Sequence, residues 1–549
     1  MMRIFLYTAV LLCLSYQVNP EVFTAMTDME DLLDTELALI HNLEEYINMQ
    51  EKRLEFLKLK VTEYQKEHNE ATEDVATYLA NPINAYLLTK RLTSDWSQIE
   101  NLIQETSDRL IKNITDHKNV LKFPSDEDLN GAAVALIRLQ DTYRLDTSSV
   151  ARGELNGIQY STELSSDDCF ELGRQAYKNG DYHHTILWMQ EALDKIENDK
   201  EFAYTNIENQ TVKTLKVKIL EYLSFSVYKK GNLAEALALN DQILEIDPSN
   251  EQGTGNKYWF NKELKEAEAK KLEFSSVRGD TGDSNVFRES LNVEKLENLD
   301  HLNYEKLCRG DITPTPTELR SMKCYYIHNN VPFLRIAPIK VEVANKSPRL
   351  LIFHDVITDS EIDKVIEIGK PRLQRATARE STGYVPVKYR ISKSGWISHD
   401  EDPLITSIIQ RVSDMTMLTT ESAEDLQVCN YGIGGHYEPH FDFTTGTPTY
   451  ENERWQRDGN RIATVLFYMS DVPQGGSTVF PAIGKSVWPK KGSAAFWFNL
   501  FADGEGDLRT KHAACPVLTG SKWVANLWIH ERGQVCYPDS FQERSIPKT

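Results

Sequence analysis

Positive charge is what this 549-residue sequence has too little of: 61 Lys and Arg stand against 82 Asp and Glu, for a net charge of −21. Such a balance argues against a nucleic-acid or anionic-membrane partner. Long apolar runs are also scarce. Past the first twenty residues no segment is long and apolar enough to cross a bilayer, so no membrane span is expected. Cysteine is sparse, with seven residues in all. Apolar residues, by contrast, make up 40% of the chain, ample for real cores, and the length suggests about three or four domains rather than a disordered polymer.

The one early apolar run, Ile4 to Leu14 after Arg3, has the length of a secretory signal core, and residues 1–20 are read as a signal peptide with cleavage between Ser15 and Ala25. Cys13 leaves with it. The six remaining cysteines are then placed where disulfides form, and Asn113, Asn209 and Asn345 each open an Asn-x-Ser/Thr sequon, as expected of a glycoprotein. The C-terminal Ser-Ile-Pro-Lys-Thr549 is not a Lys-Asp-Glu-Leu type signal, so retention in the endoplasmic reticulum would need another tether.

The first half of the chain has helical periodicity. Leu33, Ile40, Ile47, Leu54 and Val61 recur every seven residues, with Leu43, Leu57 and Tyr64 three further on. This heptad seam, broken by Glu36 and Gln50, predicts a coiled-coil-like helix that pairs between subunits, within a helical dimerisation domain over 21–155. Between 160 and 265 the sequence repeats: Ala176-Tyr-Lys-Asn-Gly180 matches Val227-Tyr-Lys-Lys-Gly231 at an offset of 51 residues. Helix, glycine turn, helix in each copy predicts a tetratricopeptide-like module, whose Tyr177, Tyr182, Tyr222, Tyr228, Tyr258 and Trp259 serve as core or as a groove for a polyproline II chain. Residues 270–340 read as a connector, and 341–540 as a domain of β-strands separated by turn signals such as Pro473-Gln-Gly475-Gly476 and Lys490-Lys-Gly492.

The chemistry concentrates in that last domain. His440-Phe-Asp442 would place two ligands on one side of a strand, because side chains alternate. With His512 they make the two-imidazole, one-carboxylate set that suits a non-haem Fe(II) with open positions. His436 lies close enough to be a rival ligand. Lys522 follows His512 by ten residues, where an ammonium can meet the far carboxylate of 2-oxoglutarate.

The stretch Tyr431-Gly-Ile-Gly-Gly-His-Tyr-Glu-Pro-His-Phe-Asp442, with Gly475-Gly-Ser-Thr-Val-Phe-Pro481 and the run from His512 to Lys522, resembles the catalytic α subunit of collagen prolyl 4-hydroxylases. The resemblance extends over essentially the whole mature chain. It implies an α+β multidomain protein ending in a double-stranded β-helix, a jelly roll. It implies 4-hydroxylation of proline in X-Pro-Gly repeats of procollagen-like chains, using 2-oxoglutarate and O2 and giving succinate and CO2. It assigns the metal to His440, Asp442 and His512, and the cosubstrate to Lys522, Tyr431 and Thr478. Tyr437, Arg461, Trp528 and His530 match positions near the substrate proline. Related oxygenases acting on lysine, and the oxygen-sensing prolyl enzymes, carry Arg where this chain has Lys522. The resemblance further implies Cys308–Cys324 and Cys515–Cys536 disulfides, ascorbate as reductant, and residence in the endoplasmic reticulum lumen. Its implied partner is protein disulfide isomerase in an α2β2 tetramer. The family's peptide-binding module often carries an Arg in the segment resembling Gln252-Gly-Thr-Gly-Asn256; this chain has none there. Two other readings stand beside this one: an oxygenase acting on lysine or another secretory protein, and a silent scaffold for the isomerase.

Overall fold

The computed structural model describes residues 25–49, 54–103, 115, 121–198, 206–274, 301–380, 383–386, 389–445 and 457–534. The signal-like segment, the Asn113 sequon and Cys536 fall outside these residues. Asn209 lies on the helix Asn206–Lys229. Asn345 ends the strand Ile339–Asn345, and its side-chain amide donates to the Pro348 carbonyl at 2.8 Å.

Two helices, Met26–Met49 and Leu54–Glu73, carry the heptad seam and pack on one another. Leu33, Ile40, Leu43, Leu57 and Tyr64 are all buried in a core shared with Tyr86, Trp96, Leu136 and Trp188. These seam positions are therefore covered within the chain itself. An apolar stripe demands a cover but does not name it. Glu36, which interrupts the seam, is buried too, and its carboxylate meets the Arg91 guanidinium at 2.7 Å. The break in the pattern is thus the buried half of an ion pair that would be costly to leave single.

The repeat folds as alternating helices Ser166–Lys178, Tyr182–Asn198, Asn206–Lys229, Leu233–Ile246 and Glu251–Phe274. Gly180 and Gly231, matched by the repeat, both turn the chain with φ of +75° and +88°, a conformation that favours glycine. Tyr177, Tyr182, Tyr222 and Phe225 meet edge to face with centroids 4.9–6.5 Å apart, and Tyr228 stacks on Phe260 at 4.8 Å. Tyr258 and Trp259 stand exposed on the last helix.

The last domain is two sheets facing each other. The larger has nine strands in the order Cys324–Ile327, Ile339–Asn345, Leu350–His354, Ala494–Phe498, Arg461–Tyr468, Lys522–His530, Leu426–Tyr431, Lys393–Ile397, Gln374–Arg375. The smaller has five: Lys485–Val487, Thr478–Phe480, His512–Ala514, His436–His440, Arg390–Ile391. Strand alternation divides the large sheet's residues between two cores. Val428, Val465, Phe467 and Leu527 pack against the helices Asp359–Gly369 and Pro403–Thr416. Tyr431, Leu466, Tyr468 and Val524 face the smaller sheet together with Phe480 and Ala514.

Part of the expected connector is built into the fold. Cys324–Ile327 is the outermost strand of the large sheet, and the helix over 301–309 buries Tyr304, Leu307 and Cys308 in the helical core. This changes the disulfide assignment. Cys308 is bonded to Cys515, with Cα atoms 5.5 Å apart, so neither the Cys308–Cys324 nor the Cys515–Cys536 pairing is present. Nearness in sequence suggested the short loops, but a bridge needs Cα atoms within about 7 Å and side chains that point together. The helix turns Cys308 inward, whereas Cys324 is exposed on the edge strand as a free thiol; Cys169 and Cys429 are buried thiols. Non-reducing peptide mapping after alkylation is expected to recover a cross-linked 308–515 peptide and alkylated Cys324. A recovered 308–324 cross-link would refute this pairing.

Candidate active site

Antiparallel pairing of His436–His440 with His512–Ala514 sets His440 directly opposite His512. The first strand ends at His440, and Asp442 lies just beyond it in a bend rather than on the strand. The expected alternation is therefore not what aims Asp442. A hydrogen bond does: Thr464 Oγ1 donates to Asp442 Oδ2 at 2.7 Å, and Asn499 Nδ2 donates to Thr464 Oγ1 at 2.9 Å. One ligand atom from each of His440, Asp442 and His512 lies within 4.8 Å of the others. His440 Nε2 is 3.7 Å from Asp442 Oδ1, and His512 Nε2 is 3.5 Å from Asp442 Oδ2.

The rings are held from behind. His440 Nδ1 pairs with the Glu438 carbonyl at 2.8 Å and His512 Nδ1 with that of Thr510 at 3.0 Å. Each Nδ1 thus carries the proton, which leaves each Nε2 lone pair aimed at the shared point. Burial and the neighbouring His512 push His440 down to about 3, so its imidazole is neutral. Burial works to raise Asp442, but His512 and His440 beside it hold the carboxyl at about 2. A neutral His440 and an ionised Asp442 are in the states that a divalent cation requires of them. His436 is buried on the same strand and is not part of this cluster.

A second group of residues gathers around Lys522. Lys522 sits opposite Tyr431 in the sheet register, and its ammonium lies 5.3 Å from the Tyr431 ring centre and 6.0 Å from that of Tyr468. Tyr468 donates to Thr478 Oγ1 at 2.9 Å, which brings the three expected cosubstrate residues together. Lys522 is 1% exposed, and among the described residues no carboxylate forms an ion pair with it. Burial pushes its pKa down to about 7. A buried ammonium without a counter-ion suits an anionic ligand.

On the other side of the triad, Tyr437 stacks on His440 with ring centres 3.5 Å apart. Arg461 donates to the Asp442 carbonyl oxygen at 3.2 Å and lies over the Trp528 ring at 4.1 Å. Glu424 ties this group together, accepting from Arg461 Nε at 2.6 Å and pairing with His530 Nε2 at 3.0 Å.

Comparison with known proteins accounts for this arrangement. Residues 25–157 match the model of the N-terminal region of the prolyl 4-hydroxylase alpha subunit. Residues 166–266 match the prolyl 4-hydroxylase peptide-substrate-binding domain, and 426–530 the 2OG-Fe(II) oxygenase superfamily. Prolyl 4-hydroxylase subunit alpha-1 of Mus musculus is 45% identical over 524 residues, covering 94% of this chain and 95% of the relative. Subunit alpha-2 of Caenorhabditis elegans is 42% identical, covering 94% and 92%. The chain belongs to the prolyl 4-hydroxylase alpha-subunit family. Among solved structures, the viral collagen prolyl hydroxylase of Paramecium bursaria Chlorella virus-1 is 25% identical, with a TM-score of 0.27, covering 33% of this chain and 94% of that one.

Two residues of the site, Thr464 and Glu424, were not singled out by the sequence. Thr464 sits inside the apolar run Ile462–Met469, and a lone polar residue in a buried strand must find a partner, which is a usable signal. Glu424 precedes its strand in an ordinary polar stretch and carries no such mark.

Two outcomes follow from these contacts. Thr464→Val removes the donor that holds Asp442, so iron affinity should fall about 10- to 100-fold while the fold persists; titration of Fe(II) or Mn(II) binding checks this. For Lys522, only the ammonium attracts a carboxylate. Below pH 7 the empty site is already protonated; above it, binding must also take up a proton. The affinity for 2-oxoglutarate should therefore fall as pH rises past about 7, approaching tenfold per pH unit. Calorimetric titration from pH 6 to 9 measures it, and a flat profile would refute the role of this amine.

Proposed function

We propose that this chain is the catalytic subunit of a procollagen-proline 4-dioxygenase, hydroxylating C4 of proline in X-Pro-Gly repeats of collagen-like chains. The observation that carries the proposal is a His440, Asp442 and His512 cluster together with the buried, uncountered Lys522, whose neighbour Tyr468 bonds Thr478 on the strand paired with that of His512. Fe(II), when bound with 2-oxoglutarate and O2, would supply the oxidation: one oxygen atom of O2 ends in the new hydroxyl on carbon and the other in succinate, with CO2 released.

The chain's own residues then have distinct tasks. His440, Asp442 and His512 hold the metal through two Nε2 atoms and one carboxylate. Lys522 takes the distal carboxylate of 2-oxoglutarate, with Tyr431 and Thr478 at the same ligand. Burial raises the Tyr431 phenol, which keeps it a neutral donor. Tyr437, Arg461, Trp528 and His530 form the wall for the target proline. Arg461 can bond a peptide carbonyl only because Glu424 and Trp528 fix its plane, since an unbraced guanidinium explores many poses.

The proline-rich chain is also held at a distance from the reaction, by the aromatic face of the module over 160–265. The description of the matching domain and the ring cluster around Tyr177 and Tyr222 support this. Ascorbate keeps the iron reduced. Protein disulfide isomerase completes an α2β2 assembly in the endoplasmic reticulum lumen, and Asn113, Asn209 and Asn345 are the candidate glycan acceptors there.

The test is succinate release by the chain co-expressed with the isomerase, with Pro-Pro-Gly repeats against poly-proline and lysine-containing peptides. Turnover should require the Pro-Pro-Gly repeats and vanish in His440→Ala, Asp442→Ala and His512→Ala. Preference for lysine peptides would overturn the substrate, and full activity in any of the three variants would overturn the metal site.

A further inference from the structure

We propose that Tyr143 is a positioning residue for Lys522, so that the helical N-terminal region forms one wall of the cosubstrate site. This rests on the assignment of Lys522 to 2-oxoglutarate. Tyr143 closes the helix Asp126–Tyr143, which stops there because Arg144 adopts a left-handed conformation at φ +54°. The ending delivers the phenol to the oxygenase domain, where its hydroxyl donates to the Pro516 carbonyl at 2.6 Å. The same carbonyl accepts from the Gly476 amide at 3.0 Å. Gly476 in turn is a neighbour of the Lys522 stem: only an added Cβ would bring it into van der Waals contact, 3.5 Å from Lys522 Cδ. Phenol, carbonyl and amide are thus joined by hydrogen bonds, and the residue that carries the amide is next to the lysine stem.

The glycine pair serves this arrangement. Gly475 has φ +79°, and a Cβ on it would come within 2.6 Å of both the Tyr143 hydroxyl and the Pro516 oxygen. Only a residue without a side chain lets the two meet. Burial raises the Tyr143 phenol, so it remains a protonated donor whenever the enzyme works. The carbonyl it meets belongs to the stretch between His512 and Lys522, which is also bonded to the helical half through Cys515 and through the Gly520 amide, 3.2 Å from the Ala80 carbonyl. Lysine's flexible stem has no built-in aim, and no carboxylate pairs with this one among the described residues. Its direction is therefore set by what lies against the stem, and site geometry must be held to about 0.5 Å to be productive.

The experiment compares three variants of the full chain. Tyr143→Phe removes only the hydroxyl. Tyr160→Phe removes a similar contact between the same two parts of the chain, the 2.7 Å bond from Gln474 Nε2 to the Tyr160 hydroxyl, which does not reach Pro516. Lys522→Ala tests the underlying assignment. The readouts are 2-oxoglutarate Kd by anaerobic calorimetry on Mn(II)-loaded protein, Mn(II) affinity and the thermal midpoint. Tyr143→Phe should weaken 2-oxoglutarate about three- to tenfold with Mn(II) affinity unchanged, while Tyr160→Phe leaves both constants as they were. If the two tyrosine variants shift 2-oxoglutarate equally, or if Tyr143→Phe shifts nothing while Lys522→Ala does, Tyr143 is only a docking contact and the inference fails with the Lys522 assignment intact. An unchanged Kd in Lys522→Ala would remove the assignment and the inference together.

Discussion

Everything chemical in this molecule depends on one antiparallel pairing, the register that sets His440 against His512. The two histidines are far apart in sequence, and each is the terminal residue of a short strand. A slip of one residue would turn either imidazole to the opposite face of the sheet, because side-chain direction alternates along a strand. The register is held by burial. Ala514 and Phe480 from the small sheet pack against Tyr468, Trp497 and Val524 of the large one. The three clustered side chains are therefore placed by an apolar core, and hydrogen bonds to Glu438, Thr510 and Thr464 make only the final adjustment.

The same constraint explains why charge is distributed unevenly across the site. Asp442 is buried but compensated by two imidazoles and a threonine hydroxyl, and Glu424 is buried but compensated by Arg461 and His530. Lys522 is the exception, a fully buried cation with tyrosine rings as its neighbours. An uncompensated ammonium destabilises the empty fold and is relieved by an anion. The difference between the compensated and uncompensated groups separates scaffold from ligand-binding residue more sharply than position in the sequence does.

The helical half and the oxygenase domain are not independent beads. The Met26 backbone N–H donates to Asn430 Oδ1 at 3.0 Å, Asp28 pairs with the buried Lys393, and Arg138 donates to the Gly434 carbonyl at 3.3 Å. With the Cys308–Cys515 bond, these contacts converge on the turns around Gly434 and Pro516, beside the strands that hold Tyr431 and Lys522. Leu33, Ile40, Leu43, Leu57 and Tyr64 of the heptad seam are spent on the core of the helical region.

The sequence by itself determined the His, Asp and His set, the lysine ten residues beyond it, the repeat with its glycine turns and the strand-and-turn character of the last domain. Each of these is written in residue identity and short spacing: a His-x-Asp pair, a 51-residue repeat, apolar runs between glycine turns. What only the tertiary structure decided are the relations between distant segments. Asp442 is aimed by Thr464 across a strand boundary, not by alternation. Cys308 meets Cys515 because a helix turns it into the core, although Cys324 is nearer in sequence. Glu424 joins Arg461 to His530, and Tyr143 reaches Pro516 across 373 residues. Local pattern reports what a residue can bond to. Which partner it meets depends on chain packing, whose energy is non-directional until shape and register select one neighbour.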